Sequence, residues 1–309
     1  MPAPAVDLVI VHRGVPDLVG ETVHRFLDQE DVRVRIVVVD NASSPDDRDK
    51  LALTLPDHVV LLPQDRNRGF GPAANVGFRW YLEQPASANG GADWLAVAPH
   101  DARPAPDCLR VMLAELDRRP HAGLASADVG DGLTPIVDRY IGAIPVPARV
   151  RNGWEPAGYP HGTLMLGRRA CLAEVGLFDE RYFAYCEEAD LALRAKDAGW
   201  EVGVVRGAEV RNPTVGSHVA VVDYLQLRNT LLLVQEHFGL WPVAMRMCMA
   251  LYHLGIGLVS PPRRGPYWDA PARVAAIADF LRRRFGPPPP AIIRRDAHHQ
   301  DAVTSKLRV

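Results

Sequence analysis

Within the first hundred residues, four short runs keep an apolar, largely β-branched interior: "DLVIV" (7–11), "RIVVVDNASS" (35–44), which ends in polar turn chemistry, "HVVLLP" (58–63) and "DWLAVAP" (93–99). A strand with one wet face alternates polar and apolar side chains, whereas a strand covered on both faces does not. Helical spacing fills the intervals, as in "GPAANVGFRWYLEQ" (71–84). Buried strand followed by helix, repeated, predicts an α/β fold with a mostly parallel sheet flanked by helices.

The turns after the strands then matter most, because ligands of open α/β sheets bind beyond the carboxyl ends of the strands. The segments His12–Gly14, Asp40–Ser43 and His100–Arg103 are polar and turn-forming, and such loops are the expected seat of chemistry. In "VVVDNASS" Asp40 can accept a hydrogen bond from a ring or imide N–H, while Asn41 and Ser43 bridge to the next turn. The same residues also suit a plain turn with a helix cap, since Ser43 or Ser44 precedes "PDD". "NRGFGPAANVG" (67–77) has neither GxGxxG nor Walker spacing. Its glycines would let the main chain approach a phosphate or ribose at a helix start, or simply make a strand-to-helix turn. Asp101, beside His100 in "APHDARPAP" (98–106), offers hard oxygen for Mg²⁺ or Mn²⁺ between two phosphates, though a proline-bounded Asp is also ordinary turn chemistry.

Charge excludes one broad class of partner. The 309 residues carry a formal −2, which gives no whole-protein attraction for the phosphates of nucleic acid. Cys108, Cys171, Cys186 and Cys248 are far apart and form no CxxC pair, and "MPAPAVDLVIVHRG" lacks the basic and long apolar regions of a secretion signal, so a reduced, cytoplasmic protein is expected. The most apolar stretch, Leu240–Ser260, is interrupted by Arg246 and His253 and followed by Arg263 and Arg264. It reads as a helix lying at the inner face of a membrane, or equally as a core helix or a homodimer helix. The organisation expected is a main domain over 1–239, made of halves 1–130 and 131–239, then a helical extension over 240–285 and a mobile, proline-rich tail over 286–309.

In "YFAYCEEADLALRAKDAGW" (182–200) three carboxylates open a helix directly after an aromatic cluster. Leu191, Ala195 and Ala198 make a stripe expected to face the core. Glu187 and Glu188 straddle its top, so at least one should point inward. Helix-end electrostatics and an i,i+4 pair with Arg194 account for Asp190. They account less well for two glutamates beside aromatics, whose desolvation would raise a carboxyl toward the range of a general base.

Taken in series, "VVVDNASS", "NRGFGPAANVG", the Asp101 loop and "GTLMLGRRACLAEVGLFDERYFAYCEEADLALRAKDAGWEV" (162–202) resemble the inverting family 2 glycosyltransferases of GT-A fold, in their rhamnosyltransferase-like branch, from about Val6 to Gly239. The resemblance implies that Val11, Asp40 and Asn41 surround the base and ribose of a nucleoside-diphosphate sugar, dTDP- or UDP-linked, and that Gly69 and Asn75 line the nucleotide pocket. His12, Gly14, Ser43 and His100, in the strand-end turns, join that group. Asp101 matches the metal position for Mg²⁺ or Mn²⁺, and Glu188 the general base, with Glu187 as an orienting neighbour. Gly162, Thr163, Tyr182 and Tyr185 would border a hydroxyl acceptor, whether glycan, glycolipid or natural product.

The chain departs from the family pattern in four places. "HRG" (12–14) replaces a Thr-Tyr-Asn-like turn after the first strand, and Pro99 and His100 alter the metal loop. The base is Glu rather than Asp, with roughly 1.5 Å more reach. A downstream histidine aligns with Asn212, leaving His218 as a substitute metal contact. These departures motivate a competing expectation, a homologue that binds nucleotide sugar or a partner without turnover.

Overall fold

The computed structural model describes residues 3–84, 92–212 and 219–296. Strand β1 (Ala5–His12) is buried along its whole length. It pairs in parallel with β2 (Arg33–Asp40) on one side and β4 (Trp94–Pro99) on the other, and β3 (Val60–Pro63) extends the sheet beyond β2. In register His12 stands opposite Asp40, Asp40 opposite Pro63, and Val11 opposite Pro99. The carboxyl ends of four strands therefore finish at one edge, with their turns side by side.

Alternation within β1 divides the core into two layers. Val6, Leu8 and Ile10 pack with α1 (Pro16–Leu27), α2 (Pro45–Thr54) and α4 (Cys108–Leu116). Val9 and Val11 pack with α3 (Phe70–Glu83), α5 (Arg169–Val175) and α6 (Glu187–Asp197). Covering on both faces is the physical reason these strands show no polar alternation. Gly77 lets α3 approach closely, because a Cβ there would run into the Val9 side chain.

Beyond residue 100 the sheet becomes mixed. The two-residue β5 (Arg103–Pro104) pairs with β11 (Glu201–Arg211); β6 (Ala122–Asp128) runs parallel to β11, and β10 (Met165–Arg168) lies antiparallel between β4 and β6. The edge piece β9 (Gly153–Pro156) also pairs with β11, and β7 (Leu133–Asp138) with β8 (Gly142–Pro147) forms a separate ribbon. An ion network centred on buried Arg206, which donates to Glu155, Asp128 and the Thr134 hydroxyl, ties β11 to β9, β6 and β7.

Two compact units emerge: one holds the nine-stranded sheet, the other residues 137–144, 180–187 and everything described from 219 on. In the second, α7 (Val219–Phe238) packs against α8 (Leu240–Val259) and α9 (Ala270–Leu281) around Tyr224, Leu231, Val243, Ala250, Ala276 and Phe280. The break therefore falls before α7 rather than at residue 239, because α7 shares its core with α8 and α9. Nor is 286–296 a loose tail: Ile292 is buried in that core, and the Asp296 carboxylate accepts from the Ala220 and Val221 N–H groups at the start of α7. Those two donors would otherwise be orphaned at a helix end.

Candidate active site

Three turns are laced together by hydrogen bonds at the strand edge of the first unit. The Gly14 N–H donates to Ser43 Oγ (2.8 Å) and the Asn41 N–H to the His12 carbonyl (2.8 Å). Asn41 reaches across to the glycine-rich segment, donating to Asn67 Oδ1 and the Gly69 carbonyl (both 3.0 Å) while accepting from the Arg68 N–H (2.8 Å). Gly69 caps α3 at φ 94°, a conformation that favours glycine. Asp40 is fully buried; one oxygen accepts from the Ser43 N–H (3.1 Å), the other from Arg48 Nε (2.8 Å). The turn and ligand readings of "VVVDNASS" thus share residues: Ser44 caps α2 by accepting from the Asp47 N–H (3.1 Å), and Ser43 faces the β1 turn.

His12 ends β1 with no solvent exposure, and neither ring nitrogen has a hydrogen-bond partner. Burial, reinforced by the neighbouring His100, lowers its pKa to about 4 against the opposing pull of Asp40 and Asp47. The ring is therefore neutral at physiological pH, with one donor and one acceptor unspent. His100 meets it edge-on at 5.9 Å and is itself shifted down by burial. The α1 residue Thr22 holds the His100 carbonyl (2.6 Å). Asp101 is 4% exposed, and no donor among the described residues bonds its carboxylate.

A carboxylate that no described donor bonds suits a cation, and two residues further on β5 pairs with the end of β11, setting Arg103 opposite Arg211. Among the described residues no group of three His, Cys, Asp or Glu side chains converges. The fit is therefore to an ion held by one protein oxygen and completed by phosphate and water, the habit of Mg²⁺ and of similar hard ions. His218, the expected second metal contact, lies outside the described residues. The buried Asn75 amide brackets the main chain of Phe178, donating to the carbonyl (2.8 Å) and accepting from the N–H (3.1 Å). It steadies the turn before the acidic segment.

On α6 the three acids are unequal. Asp190 pairs with Arg194 (2.8 Å), whose guanidinium also caps the Val175 and Leu177 carbonyls, so this acid locks α6 to the turn after α5. Glu187 is 1% exposed. Glu188 lies against Gly162, where a Cβ would overlap its Oε1. Desolvation raises the Glu188 carboxyl to about 7 against the pull of its own backbone N–H, while the residue stays partly open to solvent. Beside it the Thr163 N–H and hydroxyl meet His161 Nδ1 at 3.2 and 3.0 Å. The expected core stripe is corrected at one position: Leu191 and Ala195 are buried, but Ala198 is exposed because α6 ends at Asp197 and the chain turns through Gly199 at φ 88°.

In the second unit the segment before α6 is strained. Phe183, Tyr185 and Cys186 all have positive φ (67°, 69° and 73°), a conformation costly without glycine. Asn229 of α7 holds it, donating to the carbonyls of Tyr182, Ala184 and Tyr185 at 2.7 to 2.9 Å. The wholly buried Arg228 donates in turn to Asn229 Oδ1. Sequence reading missed both residues, for "LRNT" inside an apolar helix carries no sign of what it meets more than forty positions upstream. Of the two aromatics expected at the acceptor, Tyr182 is wholly buried and Tyr185 is 39% exposed.

Residues 7–176 match the family model described as "Glycosyl transferase family 2". A relative in Mycobacterium tuberculosis, named N-acetylglucosaminyl-diphospho-decaprenol L-rhamnosyltransferase, is 29% identical over 251 aligned positions, covering 69% of this chain and 78% of that protein. Among solved structures, a mannosyltransferase of Pyrobaculum calidifontis in complex with GDP-Man and Mn²⁺ superposes with TM-score 0.55 at 17% identity, over 97% of this chain and 81% of that one. GalNAc-T7 with UDP, GalNAc and Mn²⁺ gives 0.53 at 14%, over 91% of this chain and 56% of that one. At such identities the superpositions speak to fold alone, and the fold they share is GT-A.

Proposed function

The chain belongs to glycosyl transferase family 2 and is a glycosyltransferase that uses a nucleotide-sugar donor; from that premise we propose that it inverts the anomeric centre in a single displacement with Glu188 as general base. The observation that carries this reading is the Glu188 carboxyl, seated on Gly162 and raised to about 7. A base near neutrality is both deprotonated often enough and strong enough to accept a proton in the transition state. In the reaction, Glu188 takes the proton of the acceptor hydroxyl as that oxygen bonds to the anomeric carbon. The bond to the diphosphate breaks with its electron pair going to the leaving oxygen.

Val11, His12, Gly14, Asp40, Asn41, Ser43 and Gly69 form the donor side of this reading. His12, at the carboxyl end of β1, joins the base-recognition group by family resemblance, and a UDP- or dTDP-linked sugar is the donor we favour. Asp101, with His100 beside it, would hold the divalent cation, which when bound offsets charge on the departing diphosphate. The acceptor side takes Gly162 and Thr163; Tyr182 and Tyr185 join it by family resemblance. The mycobacterial relative is named for rhamnosyl transfer to a polyprenol-linked sugar, and a rhamnose-like donor with a glycan or lipid-linked hydroxyl acceptor is the specific pair we favour. A nucleotide-sugar donor and four cysteines free of disulfides suit a cytoplasmic setting.

A thermal-shift screen of UDP, dTDP, GDP and their sugars, with and without Mn²⁺, tests the donor side, because a ligand that binds only the folded state raises its stability. The expected result is a rise with UDP or dTDP species that Mn²⁺ enlarges. No rise with any nucleotide would overturn the reading, as would a Glu188→Gln variant that turns over donor at the wild-type rate.

A further inference from the structure

Helix α8 wears its apolar residues on the outside. Trp241, Leu251, Tyr252, Leu258 and Val259 are 52 to 82% exposed and fall at helical spacing on one side. Only Ala244, Cys248 and Gly255 stand between them, with His253 at the margin. The opposite side is already used: Val243, Ala250 and Gly257, seven residues apart, are buried, and Gly257 is so close to the Trp268 indole that no Cβ would fit. A helix covered on one side by its own unit and bare on the other inverts the ordinary arrangement, in which the outer face is charged. An uncharged face about 30 Å long needs an occupant.

Charge selects that occupant. Residues 219–296 carry ten arginines, no lysine and five carboxylates, a balance of +5 within a chain of −2. Asp223, Asp269, Asp279 and Asp296 are buried, so Glu236 is the one exposed carboxylate among these residues. Six arginines are exposed: Arg263 and Arg264 directly after α8, Arg282, Arg283 and Arg284 at the end of α9, and Arg294. A second copy of the chain would bring a like charge to the same face, which disfavours a dimer. A spanning helix would have to leave the seam at Val243, Ala250 and Gly257 and carry Arg246 into hydrocarbon.

We infer that α8 docks flat on an anionic lipid surface, its exposed stripe in the acyl boundary and Arg263 and Arg264, which follow it directly in the chain, on lipid phosphates. Apolar burial plus attraction to anionic lipid is the general basis of such contacts. This surface lies outside the donor and base machinery, so its test stands apart from that of the reaction.

The test is co-sedimentation of the full chain with vesicles of phosphatidylcholine alone or with a third phosphatidylglycerol, alongside its solution mass. Wild type is expected to be a monomer that binds the anionic vesicles and not the neutral ones. Leu251→Glu with Leu258→Glu should weaken binding about 100-fold. Arg263→Ala, directly after α8, should weaken it about fivefold, the equivalent of ~1 kcal/mol per charge near the surface. Leu53→Glu, at an equally exposed apolar site on the other unit (88%), should leave binding unchanged, and circular dichroism confirms that each variant folds. Recovery of wild type wholly in the supernatant with anionic vesicles at low salt would overturn the proposal. So would a dimer that Leu251→Glu dissociates while vesicle binding persists.

Discussion

The Glu188 carboxylate occupies the space into which a side chain on Gly162 would project. The glycine is therefore the floor on which the proposed base rests. Gly162→Ala should push the carboxylate aside, at small cost to the fold because the obstructing atom is the far end of a flexible side chain. A misplacement on the order of 1 Å costs about 100-fold in rate. Steady-state kinetics should show kcat falling by that order with donor KM nearly unchanged and a melting temperature close to wild type; a fully active variant would show that the base works from elsewhere.

Titration of the same carboxyl links activity to stability. Its pKa stands at about 7 in the folded chain against 4.5 when solvated, so the folded state holds the extra proton. Its contribution to stability is complete below pH 4.5 and is lost as pH rises through 7. Glu188→Gln removes that loss. At pH 8 the variant should be more stable than wild type by roughly 1–3 kcal/mol, while transfer activity disappears. In wild type kcat/KM should climb about tenfold per pH unit below 7 and level above it. Urea denaturation at pH 5 and 8, beside the pH–rate profile, checks both; equal stability of the two proteins at pH 8 contradicts the buried-base account.

Asp101→Asn keeps the size of the side chain but removes the charge that a hard cation requires. Mn²⁺ should then no longer enlarge the thermal shift produced by a nucleoside diphosphate. The melting temperature without ligand should hold, since no donor among the described residues depends on this carboxylate. A variant that retains its Mn²⁺ response would move the ion to other residues.

Much of this was legible in the chain because strands covered on both faces advertise themselves. The four apolar runs correspond to β1, β2, β3 and β4, which end at His12, Asp40, Pro63 and Pro99, and their register sets their turns side by side. The pair Asp190 and Arg194 followed from helical spacing and is present at 2.8 Å. The features that stayed hidden depend on contacts remote in sequence. Short β5, β9 and β10 are placed by β4, β6 and β11 rather than by their own composition. The hold of Asn75 on the main chain of Phe178, 103 positions on, has no sign in the sequence around either residue. The proline-rich segment reads as loose until Asp296 is found capping α7.

Asn229 illustrates the hidden class and yields a prediction of its own. It accounts for three carbonyls in a segment with three non-glycine residues at positive φ, and its Oδ1 accepts from buried Arg228. Asn229→Ala would take from the buried Arg228 guanidinium the acceptor of its Nε and one Nη, as well as release the strained turn. Destabilisation of roughly 3 kcal/mol or more is expected. Urea midpoints measure it, and a loss under about 1 kcal/mol would mean the turn holds its shape unaided.

His12 gives the opposite pH signature to Glu188. Its folded pKa of about 4 lies below the 6.5 of a solvated imidazole, so between those values the unfolded chain binds the proton that the folded chain refuses. Stability tied to this ring is whole above pH 6.5 and falls away as pH drops through 4, by up to roughly 3 kcal/mol. A non-ionisable amide at the site, His12→Asn, should flatten that limb of the stability curve while leaving in place the Glu188 decline between pH 4.5 and 7. It should also weaken UDP or dTDP binding, because an Asn side chain is shorter and sets its donor and acceptor differently from the imidazole. Denaturation curves from pH 4 to 7 for both proteins, with nucleotide titrations at pH 7.5, separate the two effects. Unchanged nucleotide affinity together with a flattened acid limb would keep His12 as a buried structural ring and remove it from base recognition.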